Sequence, residues 1–347
     1  MSIPTSQKLY RFHKNESVDD LTLCTDEPVP QPKRGQVLVR IHATSLNYRD
    51  VMVAIGAYPK PYASGGVIPL SDGAGEIVQV GEDVSEFKVG DRVCGSFHQA
   101  WIDGEMKDEY LAHTLGGSAH GMLCQYRVFE VNGIVKMPSH LSYEEAATLP
   151  CAALTAWHAL SQNGIQHVDS SSTVLILGTG GVAVFGIQFA VASGAKVIVL
   201  SSSDEKLEKV KNLGAHHLIN YKTTPDWEVK VREITGGRGV DHVLEIGGSG
   251  TLERSIKSVK RYGQVHVIGF LAQPQTFDVS MSVLFSAAIL RGIMVGSVGM
   301  FKNMNRAIEN HNIHPVVDKV FTFDQAKEAY KYLQSQQHVG KVVIRVD

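Results

Sequence analysis

The sequence predicts an α/β protein in which a β-rich N-terminal part precedes a doubly wound parallel sheet. Three observations lead to this prediction. From residue 172 onward, short aliphatic runs alternate with helical stretches, as in a parallel sheet covered by helices. The first of these runs ends in a glycine-rich turn. Residues 8–48 contain short strand-like runs instead, and the last of them, 36–44, alternates aliphatic and polar side chains as a half-buried strand does.

The stretch 172–203 carries the strongest functional signal in the chain. Thr173 to Leu177 is a β-branched and aliphatic run that is too short for an independent helix, so it fits a strand buried on both faces of a parallel sheet. The glycines that follow permit positive φ in a tight turn and let backbone N–H groups approach a pyrophosphate at the N-terminus of the next helix. The turn therefore predicts a dinucleotide site. Its expected contacts are Gly178, Thr179, Gly180, Gly181 and Val182.

The elements after this turn continue the pattern of a nucleotide-binding sheet. A helix is predicted over about 182–193, and Ala183 stands where such motifs often carry a third glycine. The apolar face of that helix is predicted to be Val182, Phe185, Phe189 and Ala192. Because the motif lies between a strand and a helix, it is a stronger signal than the glycine spacing alone. The further predicted strands are 196–200, 215–220, 240–245, 263–269 and 288–295, and the predicted helices between them include 225–235 and 252–259.

The tip of the second strand indicates which dinucleotide fits. NAD-binding sequences usually place an acidic residue there, which accepts hydrogen bonds from the ribose 2′-hydroxyl. This chain has three serines at 201–203, whose hydroxyls can donate to a 2′-phosphate, and Lys206 adds a cation one turn into the next helix. Asp204 is interpreted as the N-cap of that helix. The tip therefore predicts NADP, with Ser202 and Lys206 as contacts.

Composition and charge are those of an ordinary globular enzyme. The 347 residues leave room for two domains, and 44% of them are hydrophobic while 20% are charged. A net charge of -2 and a pI near 6.7 give no electrostatic reason to expect nucleic acid as a partner. Apolar runs stay well short of about 18 residues and the N-terminus lacks an apolar signal core, which predicts a cytoplasmic protein without a membrane partner. The four widely spaced cysteines are expected to be reduced thiols.

Residues 80–93, VGEDVSEFKVGDRV, resemble the hallmark of the medium-chain dehydrogenase/reductase superfamily, and the glycine turn follows where that superfamily has it. The resemblance spans nearly the whole chain. It implies a GroES-like β-barrel catalytic domain combined with a Rossmann domain, that is, a doubly wound parallel sheet that binds the cofactor. The expected bounds are 1–148 and 290–347 for the first domain and 149–289 for the second. The resemblance also implies a homodimer through the edge strand near 288–295.

Zinc-containing relatives carry a structural zinc lobe, and the resemblance implies that this lobe is missing here. Its four cysteines would lie in the polar loop 96–121, which contains no cysteine. His98, His113 and His120 lie in this loop, but their spacing matches no tight zinc framework. The three histidines are interpreted as solvent-facing.

The catalytic zinc of such relatives also lacks its ligands in this chain. A catalytic zinc needs three protein ligands and one open position. Aligned by the flanking residues, the family's first cysteine ligand falls on Asn47 and its histidine ligand falls on Ser71, so only Cys151 remains. We therefore predict no bound metal. The zinc-free branch, typified by quinone oxidoreductases and enone reductases, resembles this chain best, because it shares an SLNYRD-like segment followed by GxYP, here 45–50 and 56–59.

Further cofactor contacts are implied by the same resemblance. In the superfamily a threonine at the position of Thr155 lies at the nicotinamide, although a helical threonine can also bond back to a carbonyl. NADP-dependent relatives often place a tyrosine, here Tyr221, near the adenosine phosphate. The other expected contacts lie at strand ends on the carboxyl edge of the sheet, where ligands bind in open α/β folds, or near the C-terminal strand. They are Gly247, Gly269, Phe270, Leu271, Ser297 and Lys341.

With a single ligand residue left at the zinc position, the expected chemistry is hydride transfer to an electron-poor carbon, with hydrogen-bond donors meeting the charge that develops. The activated C=C of an enone, alkenal or quinone, a small electrophilic partner, suits this chemistry. Tyr48 and Asn47 are the predicted catalytic residues. Tyr48 can instead form an aromatic wall of the substrate pocket. Asn47 can instead hold the cofactor ribose or cap the short helix that follows.

Two other functions stay open. The fold also permits a metal-free NADP-dependent alcohol dehydrogenase or ketone reductase. A cofactor-binding protein with a regulatory or structural role, and without relevant turnover, is an alternative from another class. The lack of a basic patch argues against an RNA-binding version of it.

Overall fold

The computed structural model describes residues 3–161 and 167–346. The chain forms two compact units, one of residues 1–154 and 296–347 and the other of residues 155–295. The domain bounds expected from the sequence lie a few residues before each of these divisions. Within the described residues, no helix has both the length and the apolar character needed to cross a bilayer.

The helices and strands follow one another in three groups. The first unit begins with β1 (Ser6–Phe12), β2 (Leu21–Pro28), β3 (Gln36–Leu46), α1 (Tyr48–Ala54), β4 (Asp72–Val80), β5 (Arg92–Gly95), β6 (Tyr126–Glu130), β7 (Ile134–Lys136) and α2 (Tyr143–Ala146), and a π-helical turn, Leu149–Ala153, leads into α3 (Leu154–Ser161). The second unit continues with β8 (Thr173–Leu177), α4 (Gly181–Ala192), β9 (Lys196–Ser201), α5 (Asp204–Lys211), β10 (His217–Asn220), α6 (Trp227–Ile234), β11 (Val240–Glu245), α7 (Leu252–Ser258), β12 (Val259–Val267), α8 (Val279–Ser286) and β13 (Ile289–Gly292). The chain returns to the first unit with α9 (Val298–Asn310), β14 (Val317–Thr322), α10 (Ala326–Gln334) and β15 (Lys341–Arg345). Short 3₁₀ turns cover Val18–Asp20, Asp108–His113, Val131–Gly133 and Phe323–Gln325.

The large sheet of the first unit joins strands from both ends of the chain. Its strand order is β14-β15-β3-β4-β5-β7, and β6 pairs with β3. Strand β3 lies antiparallel to both β4 and β15, so that Ser45 pairs with Asp72 and Leu46 pairs with Val342. Asn47 follows β3 directly. This register therefore brings Asn47 to the point where β4 and β15 begin.

The core of the first unit packs apolar side chains from the sheet against the C-terminal helix. Phe12 and Tyr330 are fully buried and meet edge to face with ring centroids 5.9 Å apart. Ile41, Leu46 and Val342 belong to the same buried cluster. Burial of such side chains contributes about 1.5 to 3 kcal/mol each. This core holds the ends of β3 and β15 in a fixed position.

The second unit contains the predicted doubly wound sheet, which confirms the fold class. Six parallel strands lie in the order β10-β9-β8-β11-β12-β13, and the order reverses between β8 and β11. The predicted bounds of β8 and β11 agree with the structure. Strand β12 begins at Val259 instead of the predicted 263, because its pairing with β11 shifts between Val240 and His242. Ligands bind at the carboxyl edge of such sheets, next to the reversal of strand order.

Helix α4 is more deeply buried than the amphipathic face predicted for it. The buried residues of α4 are distributed around the whole helix, whereas Val182 and Ala192 of the predicted face are only half-buried. Trp157 of α3 covers part of α4, with its ring 5.5 Å from that of Phe189. The close approach to the sheet occurs at Gly186, where an added Cβ would lie 2.5 Å from Leu244 Cδ2. The helix packs against other elements on several sides, so its buried residues are not confined to the single apolar face that the sequence predicted.

The interpretation of His98 as a solvent-facing loop histidine is wrong. His98 is only 2% exposed, and its Nδ1 lies 3.1 Å from Thr114 Oγ1, because the loop folds back and pairs His98 with Thr114 as an isolated bridge. Burial lowers the pKa of His98 to about 4. His113 is exposed and His120 is half-buried. Long-range folding of the loop, which composition does not reveal, decides this difference.

Two neighbouring strands of the parallel sheet bury a pair of histidines. His242 on β11 and His266 on β12 stack with ring centroids 5.4 Å apart, and His242 Nδ1 lies 3.1 Å from His266 Nε2. Burial lowers the pKa of His242 to about 4 and lowers the pKa of His266 well below its usual 6.5. Both rings are therefore neutral near pH 7, where they share a single hydrogen between the two facing nitrogens.

We expect the second unit to lose stability as the pH falls from 7 to 5. The unfolded chain protonates these histidines near pH 6.5, whereas folded His242 resists protonation until about pH 4, so acid favours the unfolded state. The loss should reach roughly 2 kcal/mol for His242 at pH 5. Denaturant unfolding at both pH values, followed by tryptophan fluorescence, measures it. His242→Leu should flatten the pH dependence, and His217→Leu, which changes an exposed histidine, should keep it. Equal slopes in all three proteins would contradict this account.

Candidate active site

The glycine turn of the second unit leaves space for a bound anion. Strand β8 ends at Leu177, and Gly178 takes a φ of +87°, while its N–H donates to Leu200 O at 2.8 Å. Helix α4 begins at Gly181, within the turn, so its N-terminal N–H groups and the positive end of its dipole lie at the turn. A Cβ built on Gly178 or Gly180 would meet nothing within 4 Å. The predicted contacts 178–182, which form this turn and the start of α4, thus fit a pyrophosphate.

The three serines at the tip of β9 differ in their roles: Ser201 and Ser203 accept hydrogen bonds from the backbone, and Ser202 lies between them at the tip. Ser201 is buried, and its Oγ accepts from Ser203 N at 3.3 Å. Ser203 Oγ accepts from Lys206 N at 3.4 Å and so caps α5. Ser202 is half-buried at the tip itself, and Lys206 is half-buried in the first turn of α5. The predicted phosphate contacts Ser202 and Lys206 therefore lie within one turn of each other.

The interpretation of Asp204 as the helix N-cap is wrong by one position. Ser203 has the extended backbone and the side-chain hydrogen bond of an N-cap, and Asp204 is the first helical residue. The Asp204 carboxylate accepts instead from Asn220 Nδ2 at 2.8 Å. Asp204 therefore ties α5 to the end of β10.

Sheet pairing brings Tyr221 to the same edge as the serine tip. Strand β10 lies parallel to β9, and Tyr221 N donates to Ser201 O at 3.0 Å just beyond the paired residues. The Tyr221 ring is exposed. Tyr221, Ser202 and Lys206 thus occupy adjacent positions at one end of the sheet, where the predicted adenosine phosphate would lie.

Glu245 organises the loop that follows β11, and the sequence analysis did not assign this role to it. Its carboxylate is fully buried and accepts from Gly247 N at 2.8 Å, Gly248 N at 2.9 Å and Thr251 Oγ1 at 2.6 Å, and also from Ser255 Oγ. Burial raises the pKa of Glu245. The available signal was an acidic residue that ends an aliphatic strand and precedes two glycines.

The loop after β12 packs directly on the loop that follows β11. Leu271 N donates to Ile246 O at 3.4 Å, and a Cβ added to Gly269 would overlap the same carbonyl oxygen. Only glycine permits this approach of the two backbones. Phe270 and Leu271 are exposed. Gly247, Gly269, Phe270 and Leu271, all predicted cofactor contacts, therefore come together at the carboxyl edge of the sheet.

The remaining predicted contact of the second unit is Thr155. It lies in α3, directly after the π-helical turn, and its side chain is buried. π-Helical turns often occur at functional sites. Both interpretations of Thr155, as a nicotinamide contact and as a structural residue, stay predictions.

The first unit holds a buried polar network at the ends of three strands. Lys341, the first residue of β15, is 3% exposed, and its Nζ donates to Leu46 O at 2.7 Å and to Asn47 Oδ1 at 2.6 Å. Asp72, the first residue of β4, is fully buried. Its Oδ2 lies 3.6 Å from Lys341 Nζ and accepts from Asn47 Nδ2 at 2.9 Å. Asn47 therefore bridges a buried ammonium and a buried carboxylate.

Two serines complete the surroundings of Asp72, a residue that the sequence analysis missed. Ser71 Oγ donates to Asp72 Oδ1 at 2.7 Å, whereas Ser45 Oγ lies 3.3 Å from Asp72 Oδ2 and shares its single hydrogen with Ala147 O at 2.9 Å. A buried carboxylate requires such donors, because desolvation without them is unfavourable by several kcal/mol. The available signal was a charged residue at the start of a strand, directly before the small residues Gly73, Ala74 and Gly75.

Helix α1 begins directly after Asn47. Asp50 Oδ2 accepts from Asn47 N at 2.7 Å, and burial raises the pKa of Asp50 to about 7. Asn47 thus holds the N-cap position, but its side chain is directed to Lys341 and Asp72. Tyr48 is the first helical residue and is half-buried. The two predicted catalytic residues are therefore adjacent at the N-terminus of one short helix.

Ser297 has a structural partner in the first unit. It is fully buried at the N-cap of α9, and its Oγ accepts from Met300 N at 3.2 Å. Its predicted contact with the cofactor stays a prediction.

The residues at the family's zinc positions do not fit a catalytic zinc ion. Ser71 donates to Asp72, and the Asn47 amide lies between Asp72 and the Lys341 ammonium. Burial, with Asp72 nearby, raises the pKa of the Cys151 thiol, whereas zinc requires a thiolate. Within the ranges that the structure describes, no group of three His, Cys, Asp or Glu side chains is arranged to hold a metal. The ammonium also repels a dication at this point.

Family comparisons agree with the fold. Residues 33–139 match the alcohol dehydrogenase GroES-like domain, and residues 181–310 match the zinc-binding dehydrogenase family. A GroES-like domain combined with a Rossmann sheet and its dinucleotide turn defines a two-domain oxidoreductase. This chain belongs to the medium-chain dehydrogenase/reductase family, which confirms the resemblance found at residues 80–93.

Similar proteins include both alcohol dehydrogenase-like and reductase members. The chain is 47% identical to a zinc-type alcohol dehydrogenase-like protein of Schizosaccharomyces pombe, over 97% of this chain and 99% of that protein. It is 32% identical to the 2-methylene-furan-3-one reductase of Solanum lycopersicum, over 99% of this chain and 80% of that protein. The crystal structure of a candidate alcohol dehydrogenase from Sinorhizobium meliloti 1021 matches with a TM-score of 0.89 at 37% identity, covering 99% of this chain and 100% of that chain.

Proposed function

We propose that this protein is a zinc-independent, NADPH-dependent oxidoreductase that transfers hydride to the activated C=C of an enone, alkenal or quinone. The observation that carries the proposal is the buried pair of Lys341 and Asp72 on either side of Asn47, the residue at the family's first cysteine position. An amide bonded to a buried ammonium stands where the resemblance gives relatives a cysteine ligand to zinc. The relative from Solanum lycopersicum supports the substrate class, since it is named for a methylene group conjugated to a ketone.

Hydride addition to an enone suits hydrogen-bond donors better than hydride addition to a simple ketone. NADPH supplies the hydride, and its arrival at the β-carbon moves negative charge onto the conjugated oxygen as an enolate. An enolate is delocalised, so one or two neutral donors can stabilise it without a metal ion. We propose Tyr48 Oη and Asn47 Nδ2 as these donors, because they are neutral hydrogen-bond donors on adjacent residues at the start of α1.

Two features of the second unit support NADPH as the cofactor. The glycine turn leaves room for the pyrophosphate, and the tip of β9 carries Ser202 and Lys206 where NAD-binding proteins have a carboxylate. Tyr221 on the neighbouring strand end supports the same site. We propose that Thr155 and the loops at Gly247 and Gly269 complete the cofactor contacts.

A metal-free NADP-dependent alcohol dehydrogenase or ketone reductase is the second candidate. The names of the relatives from Schizosaccharomyces pombe and Sinorhizobium meliloti favour an alcohol as the substrate, and the first of these names also refers to zinc. The same cofactor site would serve both reactions. The substrates that the protein turns over distinguish the two candidates.

We also propose a cytoplasmic homodimer that forms through the edge of the second unit. Strand β13 lies at the end of the six-stranded sheet, and an open strand edge favours pairing with another strand. Helix α8 precedes it and buries none of its residues. Its Val279, Met281, Leu284 and Phe285 are 41 to 69% exposed, and a second copy could cover them.

Lys206→Ala should weaken NADPH binding by roughly ten- to a hundredfold and leave NADH binding almost unchanged. A charge-assisted hydrogen bond contributes about 1.5 to 3 kcal/mol, and only NADPH carries the 2′-phosphate that receives it. Fluorescence titration with each cofactor measures the effect. Lys211→Ala is the matched control, since Lys211 lies at the end of the same helix and pairs with Glu208. An equal loss for both cofactors would show that Lys206 acts only in folding.

The purified protein should contain far less than one zinc ion per chain and should keep its activity in the presence of a chelator. The expectation follows from the protonated Cys151 thiol and from the ammonium beside Asn47. Elemental analysis of the native protein measures the zinc content. A stoichiometric zinc ion that is lost together with activity would refute the zinc-free mechanism.

The proposed reaction is tested by NADPH oxidation with cyclic enones, alkenals and quinones, and by NADP reduction with simple alcohols. Tyr48→Phe should lower kcat and kcat/KM together by about 10² to 10³ on the activated alkenes, because it removes a donor to the developing enolate. Tyr58→Phe is the control; it preserves the ring that packs on Arg49 at 4.7 Å. Unchanged kcat and kcat/KM in Tyr48→Phe would show that Tyr48 only lines the substrate pocket. Efficient oxidation of alcohols without turnover of any activated alkene or quinone would overturn the proposed function.

A further inference from the structure

The carboxamide of Asn47 is held between two buried charges of opposite sign. Its Oδ1 accepts from Lys341 Nζ at 2.6 Å, and its Nδ2 donates to Asp72 Oδ2 at 2.9 Å. Lys341 is 3% exposed and Asp72 is fully buried. Both charges therefore act on the amide with little screening by solvent.

These two charges determine which way the amide faces. The reversed orientation would turn the N–H groups toward the ammonium and the carbonyl oxygen toward the carboxylate, and both contacts would be repulsive. A carboxamide is planar, so fixing the oxygen and one N–H also fixes the direction of the second N–H. Among the described residues, Asp72 is the acceptor to which Asn47 Nδ2 donates. One N–H of a half-buried side chain is therefore left for a ligand.

We propose that Asp72 and Lys341 are positioning residues that orient Asn47 so that its second N–H donates to the substrate oxygen on which charge develops. This inference rests on the proposed function, in which Asn47 is a donor to the enolate. It assigns to Lys341 a role through Asn47 in place of a direct contact with the cofactor. It also gives Asp72 a part in the reaction without contact with the substrate.

The competing explanation is that the ion pair only stabilises the fold. Asp72 begins β4, Lys341 begins β15 and Asn47 follows β3, so the network also joins three strand ends. Removing one partner leaves the other charge buried without compensation, and such a variant is destabilised whatever its role in the reaction. Single variants therefore cannot separate the two explanations.

A double variant separates positioning from stability. In Asp72→Asn/Lys341→Met both charges are absent, so the protein should recover most of the thermal stability that either single variant loses. Asn at position 72 can donate or accept, and Met at position 341 does neither, so the field that orients the Asn47 amide is gone. We expect kcat on an activated alkene to stay reduced on the order of 10- to 100-fold, while the Kd for NADPH remains close to that of the wild type.

A triple variant tests whether the two charges act through Asn47. If they do, adding Asn47→Ala to the double variant should lower kcat no further than Asn47→Ala alone lowers it. The matched control is Asp241→Asn/Lys260→Met in the second unit, which removes an ion pair between a buried carboxylate and a half-buried ammonium, with atoms 2.6 Å apart. This control should change stability without changing kcat.

Each outcome has one interpretation. Recovery of kcat together with stability in the Asp72→Asn/Lys341→Met protein would overturn the inference and leave a purely structural ion pair. A large loss of NADPH affinity in that protein would assign Lys341 to the cofactor instead and would also overturn it. A wild type that oxidises alcohols but reduces no activated alkene would refute the proposed function. The same variants would then be compared by their kcat on the alcohol, and recovery of that kcat together with stability would overturn the inference. A wild type that turns over neither class of substrate would refute both.

Discussion

The buried ion pair between Lys341 and Asp72 is the constraint on which the surroundings of Asn47 in the first unit depend. Two charges removed from water are tolerated only when each finds partners of opposite polarity, because the loss of hydration is unfavourable by several kcal/mol for each ion. The ammonium donates to Leu46 O and Asn47 Oδ1, and the carboxylate accepts from Asn47 Nδ2 and the Ser71 hydroxyl, with Ser45 Oγ 3.3 Å away. The strand ends, the start of α1 and the orientation of Asn47 are all set by this requirement.

The second unit favours negative charge by a different structural arrangement. Its parallel strands place backbone N–H groups, glycine turns and helix N-termini at one edge of the sheet without burying a formal positive charge. Glu245 ends β11 at that edge, and backbone and hydroxyl donors satisfy its buried carboxyl group. The hydrogen bonds to Glu245 hold the loop at Gly247 against the loop at Gly269, where a side chain would not fit.

The two arrangements suit the two halves of the proposed hydride transfer. A cofactor phosphate is a permanent anion, so partial charges of many N–H groups are enough to bind it. An enolate exists only during the reaction, so a donor must already face the position where the charge appears. An amide locked between an ammonium and a carboxylate is preorganised in this sense, because turning it would bring like partial charges together. A metal ion would meet the same need with a formal charge, but Asn47, Ser71 and a protonated Cys151 are unsuited to hold one.

The sequence by itself determined the features that depend on neighbouring residues. The strands at 173–177 and 240–245 and the glycine turn after Leu177 were predictable, because aliphatic runs and positive-φ glycines are local properties. Only the tertiary structure decided the capping of α5 by Ser203, the burial of His98 and the meeting of Asn47 with Asp72 and Lys341. Lys341 and Asn47 are 294 residues apart, and strand register alone brings them together. Sequence patterns report which side chains can be buried, whereas the partners of a buried charge depend on contacts between distant parts of the chain.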